Sequence, residues 1–445
     1  MNNQGRILKI TFLGAGSTVF ARNLFGDCMS SEALRGCEIA LYDIDAVRLG
    51  ESERILSAIN RGKGSYSKIS CFAGIENLEK ALTGASFAIN AIQVGGYDPA
   101  TIADFEIPKK YGLRQTIGDT LGIGGIMRAL RTIPVMEQFA RVMEKVCPNA
   151  WLINYTNPMS MLTGFMLRYT GVKTVGLCHS VQGCSYWLLK GLGMEDRLDG
   201  RRELIAGINH MGWLLDIRDK NNNDLYPEIR RRAKEKNASE KHWDMVRYDY
   251  IDKLGYYCTE SSEHNAEYNP FYIKSKYPQL IENFNIPLDE YPRRCIEQIK
   301  GWKAEYESLA QKDIIEHSRS QEYASYIMEA IVTNSVYKIG GNVLNKGSIE
   351  NLPPEACVEV PCLVDGSGVN ACHVGKLPVQ LAAMNMTHIN VHLITIEAAV
   401  TKKREHVYHA AMLEPHTAAE LSLDDIRAMV DELLEAHKIW LPLYR

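Results

Sequence analysis

The stretch "ILKITFLGAGSTVF", residues 7–20, indicates the fold of this chain. Its first half, Ile7–Leu13, is a short and mostly apolar run, which is typical of a buried β-strand. The sequence "GAGSTVF" follows at once, and a helical pattern then continues to about Met29. A strand, a glycine-rich turn and a helix in this order predict the opening unit of a Rossmann-type sheet, in which a dinucleotide can bind.

The glycines of this turn are candidate cofactor-binding residues. Gly14 permits a tight turn, and Gly16 lets the backbone approach a pyrophosphate at the helix N-terminus, beside Ser17. The third glycine of the usual motif is absent, because Val19 stands at its position. Taken alone, the turn also fits an ordinary strand-to-helix connection.

The next strand favours the cofactor interpretation. "EIALYDID", residues 38–45, is apolar and places Asp43 where an acidic side chain binds the ribose hydroxyls of NAD and repels the 2′-phosphate of NADP. Farther along, "NAIQVGGYDP" carries Gly95, which either passes close to the cofactor or belongs to a plain loop.

Further strand-like runs alternate with helical segments. They are "KISCFAG", "FAINAI", "WLINYT" and "TVGLC". This alternation predicts an α/β fold, a Rossmann-type doubly wound parallel sheet.

Bulk properties exclude several classes of protein. The chain has 445 residues, a net charge of −4 and a pI of about 6.3, so neither nucleic acid nor a membrane surface is an expected partner. Its N-terminal apolar run is too short for a signal peptide, and no window is long enough for a spanning helix, so we expect a cytoplasmic protein. The 11 cysteines are scattered, which does not indicate a disulfide framework.

Two separate stretches predict a metal site. "GLCHSVQG" places Cys178 and His179 after a strand, and "GINHMGW" contains His210. Thiolate and imidazole are good ligands for a divalent transition metal, and a site with only Cys178 and His210 would keep positions open for a substrate. The alternative is that the cysteine and the histidine are ordinary core residues.

Three other stretches contain candidate polar groups. "LINYTNPMSM" puts Asn154 and Asn157 at the end of the strand before Cys178, where they either hold a ligand or cap the next helix. "QTIGDTLGIGG" contains Asp119 in a glycine-rich loop. "TESSEHNAEYNPFY" packs Glu260, Tyr268 and several other titratable side chains together, as an acid–base cluster or as a charged surface helix.

These motifs together resemble the NAD- and metal-dependent family 4 glycoside hydrolases, over essentially the whole chain. The matching stretches, in family order, are "KITFLGAGS", "VGGYDPATIADFEI", "TLGIGGIMRALRTIP", "INYTNPM", "GLCHSVQG", "AGINHMGW", "TESSEHNAEYNPF", "PLDEYPRRC", "VEVPCLVDGSG" and "VYHAAMLEPHTAAELSLDDI". The resemblance implies a domain similar to lactate and malate dehydrogenases over residues 1–195. A mixed α+β domain for substrate, metal and oligomer contacts would follow over residues 196–445.

The resemblance also implies cofactors and roles. NAD⁺ and Mn²⁺ are the family's cofactors. Cys178 and His210 match the metal ligands, Asn154 a substrate-binding asparagine, and His179 the proton donor. Asp119 matches a residue near the base more weakly. The base itself stays open in the region that contains Glu260, Ser261 and Tyr268.

The activity implied is hydrolysis of α-galactosides through oxidation at C3, loss of the C2 proton, elimination at C1, addition of water and reduction. Alternatives are an α-glucosidase or α-glucuronidase of the same family. A 2-hydroxy-acid dehydrogenase would need an arginine to bind a carboxylate, and a non-enzymatic NAD-binding redox sensor would need no acid–base cluster. The resemblance implies a homodimer or homotetramer.

Overall fold

The computed structural model describes residues 7–445, so the first six residues of the predicted N-terminal domain lie outside it. The described chain forms one sheet of 12 strands flanked by helices. The strands are β1 Lys9–Leu13, β2 Glu38–Asp43, β3 Lys68–Ala73, β4 Phe87–Asn90, β5 Trp151–Asn154, β6 Lys173–Gly176, β7 Arg202–Ile208, β8 Met211–Arg218, β9 Tyr257–Cys258, β10 Tyr337–Leu344, β11 Cys357–Asp365 and β12 Gly368–Ala371.

The helices follow in chain order. They are α1 Thr18–Ser30, α2 Ala46–Gly62, α3 Leu78–Leu82, α4 Ile102–Lys110, α5 Gly122–Val146, α6 Met159–Tyr169, α7 His179–Gly191, α8 Tyr226–Ser239, α9 Met245–Leu254, α10 Ser262–Tyr268, α11 Gln279–Asn283, α12 Glu290–Leu309, α13 Tyr323–Thr333, α14 Val379–Thr401, α15 Arg404–Leu413, α16 Pro415–Glu420 and α17 Leu423–Ala436.

The first half of the sheet is parallel, in the order β3-β2-β1-β4-β5-β6. Its strands are mostly apolar because helices pack on both faces of the sheet. Phe12 packs into the core on one face with residues of α1 and α2, whereas Leu13 packs into the core on the other face with residues of α3 and α5. The predicted Rossmann-type fold is confirmed, although β1 begins at Lys9 rather than at Ile7.

The second half continues the same sheet with antiparallel strands, in the order β10-β11-β7-β8-β9. The two halves are joined by one register pair between β6 and β10, Gly176 with Asn342. Another single pair, Glu359 with Gly207, joins β11 to β7. The domain boundary between residues 195 and 196 stays a prediction.

Between residues 7 and 445, no helix is both long enough and apolar enough to cross a bilayer. In the same part of the chain all eleven cysteines are free thiols.

Candidate active site

Three potential ligands meet at the ends of separate strands. Cys178 follows β6, His210 lies in the two-residue turn between β7 and β8, and Glu260 follows β9. One ligand atom from each side chain lies within 4.8 Å of the other two. His210 and Glu260 both have a left-handed backbone, with φ of 64° and 65°. Non-glycine residues adopt this conformation at a cost, and such strain is concentrated at functional sites.

The donor set fits a catalytic metal ion. Thiolate, imidazole and carboxylate supply one sulfur, one nitrogen and one oxygen, which leaves coordination positions for a substrate. His210 is oriented for this role, because its Nδ1 is hydrogen-bonded to the Tyr268 hydroxyl at 2.8 Å while its Nε2 lies 3.1 Å from a Glu260 carboxylate oxygen. The sequence placed Glu260 among the base candidates. In the structure its carboxylate lies with the potential ligands Cys178 and His210, and its role as the base stays a prediction.

Opposite charges stabilise the ionised forms in this group. Burial lowers the pKa of His210, but the Glu260 carboxylate and the Cys178 side chain together raise that pKa above its usual value. Burial alone would raise the pKa of Glu260, yet the two histidines His210 and His264 hold it below the ordinary range. A bound cation would take the place of these protons.

A second acid–base pair lies beside the ligands. His264 Nε2 lies 3.6 Å from an Asp119 carboxylate oxygen, and its ring centroid is 4.9 Å from that of His210. Burial alone would lower the pKa of His264, but the charges of Glu260 and Asp119 raise it to about 9. Burial likewise opposes ionisation of Asp119, but the His264 hydrogen bond and nearby Arg128 hold its pKa well below the usual range.

The short helix α10, which carries His264 and Tyr268, is buried. The interpretation of this segment as a charged surface helix is therefore wrong. Burial raises the pKa of Tyr268 well above its usual value. Its assignment as a candidate for the base stays a prediction, as does that of Asp119 as a residue near the base.

His179 begins α7, directly after Cys178. Its Nε2 is 2.6 Å from a carboxylate oxygen of Glu322, and its ring stacks on Tyr155 at a centroid distance of 5.7 Å. The hydrogen bond to Glu322 is the main cause that raises the pKa of His179. Sequence reasoning missed Glu322, because 143 residues separate the two and no local motif contains the glutamate.

The two asparagines have different surroundings. Asn154 is fully buried, and its amide is hydrogen-bonded to Asn90, Thr156 and Thr163. The side-chain oxygen of Asn157 is buried with no hydrogen-bond partner among the described residues. Substrate binding by either residue stays a prediction.

The loops after β1 and β2 lie together at the predicted cofactor site. The Gly16 amide donates to an Asp43 carboxylate oxygen at 2.6 Å. Gly14 has φ +90°, and a Cβ there would lie 2.8 Å from the Ala91 carbonyl oxygen, so only glycine fits between the loop and β4. Ser17 is the residue before α1. This glycine-lined cradle fits a pyrophosphate at the start of a helix.

The loop after β4 is fixed by a buried ion pair. Arg131 donates to the Val94 carbonyl at 3.0 Å and to the Asp104 carboxylate at 2.7 Å. His437, directly after α17, lies 2.8 Å from the same carboxylate. Gly95, with φ +82°, lies against the Trp440 ring. The C-terminal segment thus supports one of the predicted cofactor loops, a contact that no sequence pattern indicated.

Comparison with known proteins identifies the family. The model of the family 4 glycosyl hydrolases matches residues 9–194, and that of the family 4 glycosyl hydrolase C-terminal domain matches residues 205–417. The chain is 57% identical to an α-galactosidase of Bacillus subtilis, over 98% of this chain and all of that protein. It belongs to family 4 of the glycosyl hydrolases.

Two solved structures share the fold of this family 4 protein. A putative glucosidase, lplD, of Bacillus subtilis has a TM-score of 0.86 at 26% identity and covers 96% of this chain and 100% of its own. A 6-phospho-α-glucosidase from gut microorganisms, in complex with NAD and Mn²⁺, has a TM-score of 0.82 at 20% identity, over 99% of this chain and 100% of its own. Family membership sets aside both the plain dehydrogenase and the non-enzymatic redox sensor.

Proposed function

We propose that this chain hydrolyses α-galactosides such as melibiose and uses NAD⁺ and Mn²⁺ to do so. The observation that carries the proposal is the ligand group Cys178–His210–Glu260, which lies beside a second acid–base pair. The full-length likeness to an α-galactosidase supports the choice of sugar.

The site residues divide the chemistry between them. Cys178, His210 and Glu260 would hold the metal, and the glycine cradle with Asp43 would hold the nucleotide. When bound, NAD⁺ supplies a reversible hydride transfer at C3 of the sugar and the metal polarises the oxygen on C3.

The protein's own groups then move protons. A base, for which Tyr268 is the candidate with Asp119 nearby, removes the proton from C2, which oxidation at C3 has made acidic. His179 gives a proton to the leaving oxygen as the C1–O bond breaks. Burial of α10, including Tyr268, limits the access of water to the base while C2 is deprotonated.

Hydrolysis in D₂O tests the proposal. An α-galactoside incubated with the enzyme, NAD⁺, Mn²⁺ and thiol should yield galactose that carries deuterium at C2, because elimination requires the C2 proton to leave. A glycosidase that acts by direct displacement never breaks the C2–H bond. Unlabelled galactose from a completed reaction would overturn the mechanism.

Other specificities within the family are an α-glucosidase or an α-glucuronidase. A panel of nitrophenyl α-galactoside, α-glucoside and α-glucuronide separates them by kcat/KM. We expect the galactoside to have the highest kcat/KM. A higher kcat/KM for the glucoside or the glucuronide would reassign the sugar without contradicting the elimination mechanism.

We also infer a cytoplasmic homodimer or homotetramer. The family resemblance supports this assembly, and the free thiol that is needed as a metal ligand fits a reducing compartment. Light scattering on the purified protein would give the number of subunits, and a monomeric mass would contradict the inference.

A further inference from the structure

Glu322, one residue before α13, is buried between two aromatic side chains of the site. One carboxylate oxygen lies 2.6 Å from His179 Nε2. The other accepts a hydrogen bond from the Tyr155 hydroxyl. The imidazole of His179 itself is more than half exposed, since 58% of its side chain is accessible. The carboxylate therefore holds, from the buried side, a ring whose other side faces solvent.

The segment before Glu322 is anchored to the predicted cofactor-binding unit. Asp27, fully buried on α1, accepts hydrogen bonds from the Ser320 amide at 2.8 Å and from the Ser320 hydroxyl at 2.6 Å. His317 Nε2 lies 2.7 Å from the same carboxylate. The Ser320 hydroxyl oxygen in turn accepts from the Glu322 amide at 3.0 Å. A continuous chain of hydrogen bonds thus runs from α1 to His179.

This anchoring has a chemical consequence for the imidazole. A histidine that donates Nε2–H to an ionised carboxylate keeps Nδ1 as its only nitrogen for proton transfer, and the carboxylate fixes both the tautomer and the ring orientation. Tyr155 restricts the ring further, because it stacks on it with an interplanar angle of 27°.

We propose that Glu322 is a positioning residue for proton donation, which holds His179 so that Nδ1 protonates the leaving-group oxygen. This inference rests on the proposed function. In the step concerned, the C2–H electron pair becomes the C1–C2 double bond, the C1–O pair leaves with the oxygen, and the Nδ1 proton binds that oxygen. The base retains the C2 proton.

Leaving groups of different acidity test the proposal. Glu322→Ala should lower kcat about 100-fold for phenyl α-galactoside, whose leaving group needs a proton, and less than about threefold for 2,4-dinitrophenyl α-galactoside, whose leaving group does not. KM should change little for either. Glu322→Gln keeps the shape of the side chain, and its kcat should fall about tenfold with the phenyl substrate only. Glu316→Gln, an exposed glutamate of the same segment, is the matched control and should match the wild type.

Isotope exchange supplies a second measurement. In D₂O, Glu322→Ala should still exchange deuterium into C2 of unreacted phenyl galactoside, because oxidation and deprotonation precede the impaired step. The proposal would be overturned if kcat fell equally with both leaving groups, or if deuterium exchange at C2 fell in proportion to hydrolysis. Either result would show that the role of Glu322 is purely structural. Should Glu322→Ala not fold, the same selectivity must appear in Glu322→Gln. Absence of label in wild-type galactose would instead refute the elimination mechanism, whatever the variants do.

Discussion

Gly176 and Asn342 form the single register pair that joins the parallel half of the sheet to the antiparallel half. In the same row of the sheet, Asn342 pairs with Glu359, and Glu359 pairs with Gly207. Cys178 lies two residues after Gly176 in the chain, and His210 lies three residues after Gly207. The ligand group is therefore built around the junction at which the sheet changes from parallel to antiparallel.

Loss of any ligand from this group should weaken metal binding. Cys178→Ser, His210→Ala and Glu260→Gln should each raise the dissociation constant for Mn²⁺ by at least about tenfold, because each removes one of three potential protein ligands. Metal titrations followed by the electron paramagnetic resonance signal of free Mn²⁺ would measure this.

The matched control is Cys71→Ser, a partly buried cysteine on edge strand β3. It should bind Mn²⁺ as the wild type does. Full activity of wild-type protein in excess EDTA would refute the metal assignment.

Glu359 should make stability depend on pH. Burial raises the pKa of this carboxyl to about 7 from 4.5, and Asn342 and Asn209 offset burial only in part. Between pH 4.5 and pH 7 the folded protein binds a proton at Glu359 that the unfolded chain does not bind. The stabilisation that this proton contributes is therefore complete below pH 4.5 and is lost as the pH rises through 7.

The isosteric Glu359→Gln variant should lack this loss, on the order of 2–4 kcal/mol between pH 4.5 and pH 8. Urea unfolding of metal-free protein across this range checks it. Parallel pH profiles for the variant and the wild type would show that Glu359 does not titrate there.

Asp43 should determine the choice of nucleotide. Its carboxylate, which accepts from the Gly16 amide, places negative charge beside the glycine cradle, where a 2′-phosphate would be repelled. Asp43→Ser should reduce the preference for NAD over NADP by about tenfold or more, measured as the ratio of dissociation constants.

Asp45→Ser serves as the control, since serine retains the cap that Asp45 gives α2. If the ratio of dissociation constants were unchanged in Asp43→Ser, the Asp43 carboxylate would not belong to the nucleotide site.

The buried pair Arg131–Asp104 should be costly to break. Neither side chain is exposed, and Asp104→Asn leaves the buried guanidinium of Arg131 without its carboxylate. The free energy of unfolding should therefore fall by about 3–5 kcal/mol. NAD⁺ binding should weaken as well, because Arg131 also holds the Val94 carbonyl.

An exposed ion pair between α4 and α17 is the control. Glu432→Gln, which breaks the ion pair with Lys110, should cost less than about 1 kcal/mol in the same denaturation experiment. Similar costs for the two variants would contradict the importance assigned to burial.

Gly26 is required by the close approach of His317. A Cβ at Gly26 would lie 2.6 Å from the imidazole, so Gly26→Ala should displace the segment that carries Glu322 and lower kcat for phenyl α-galactoside. Removal of the ring in Gly26→Ala/His317→Ala should restore space but not the hydrogen bond to Asp27.

Gly50→Ala is the matched control, because a Cβ there has no neighbour within 4 Å on the exposed side of α2. It should raise the free energy of unfolding by about 0.5–1 kcal/mol. A Gly26→Ala protein that is as stable and active as the wild type would refute the contact.

The parallel half of the sheet was predictable because its determinants are local. Continuous apolar strands, the turn at Gly14 and the alternation with helices each depend on neighbouring residues, and the chain folds accordingly. Cys178 and His210 were predicted as metal ligands for the same reason, since each follows a strand by two residues.

The sequence by itself determined the fold class, the family and the chemistry-bearing residue types. Only the tertiary structure decided which of those residues meet. Glu260 joins the ligands, α10 is buried, and Glu322 reaches His179 across 143 residues. The physical reason is that hydrophobic periodicity records which face of a strand or helix is buried, whereas contacts between distant carboxylates and imidazoles depend on how strands separated in the chain pair in the sheet.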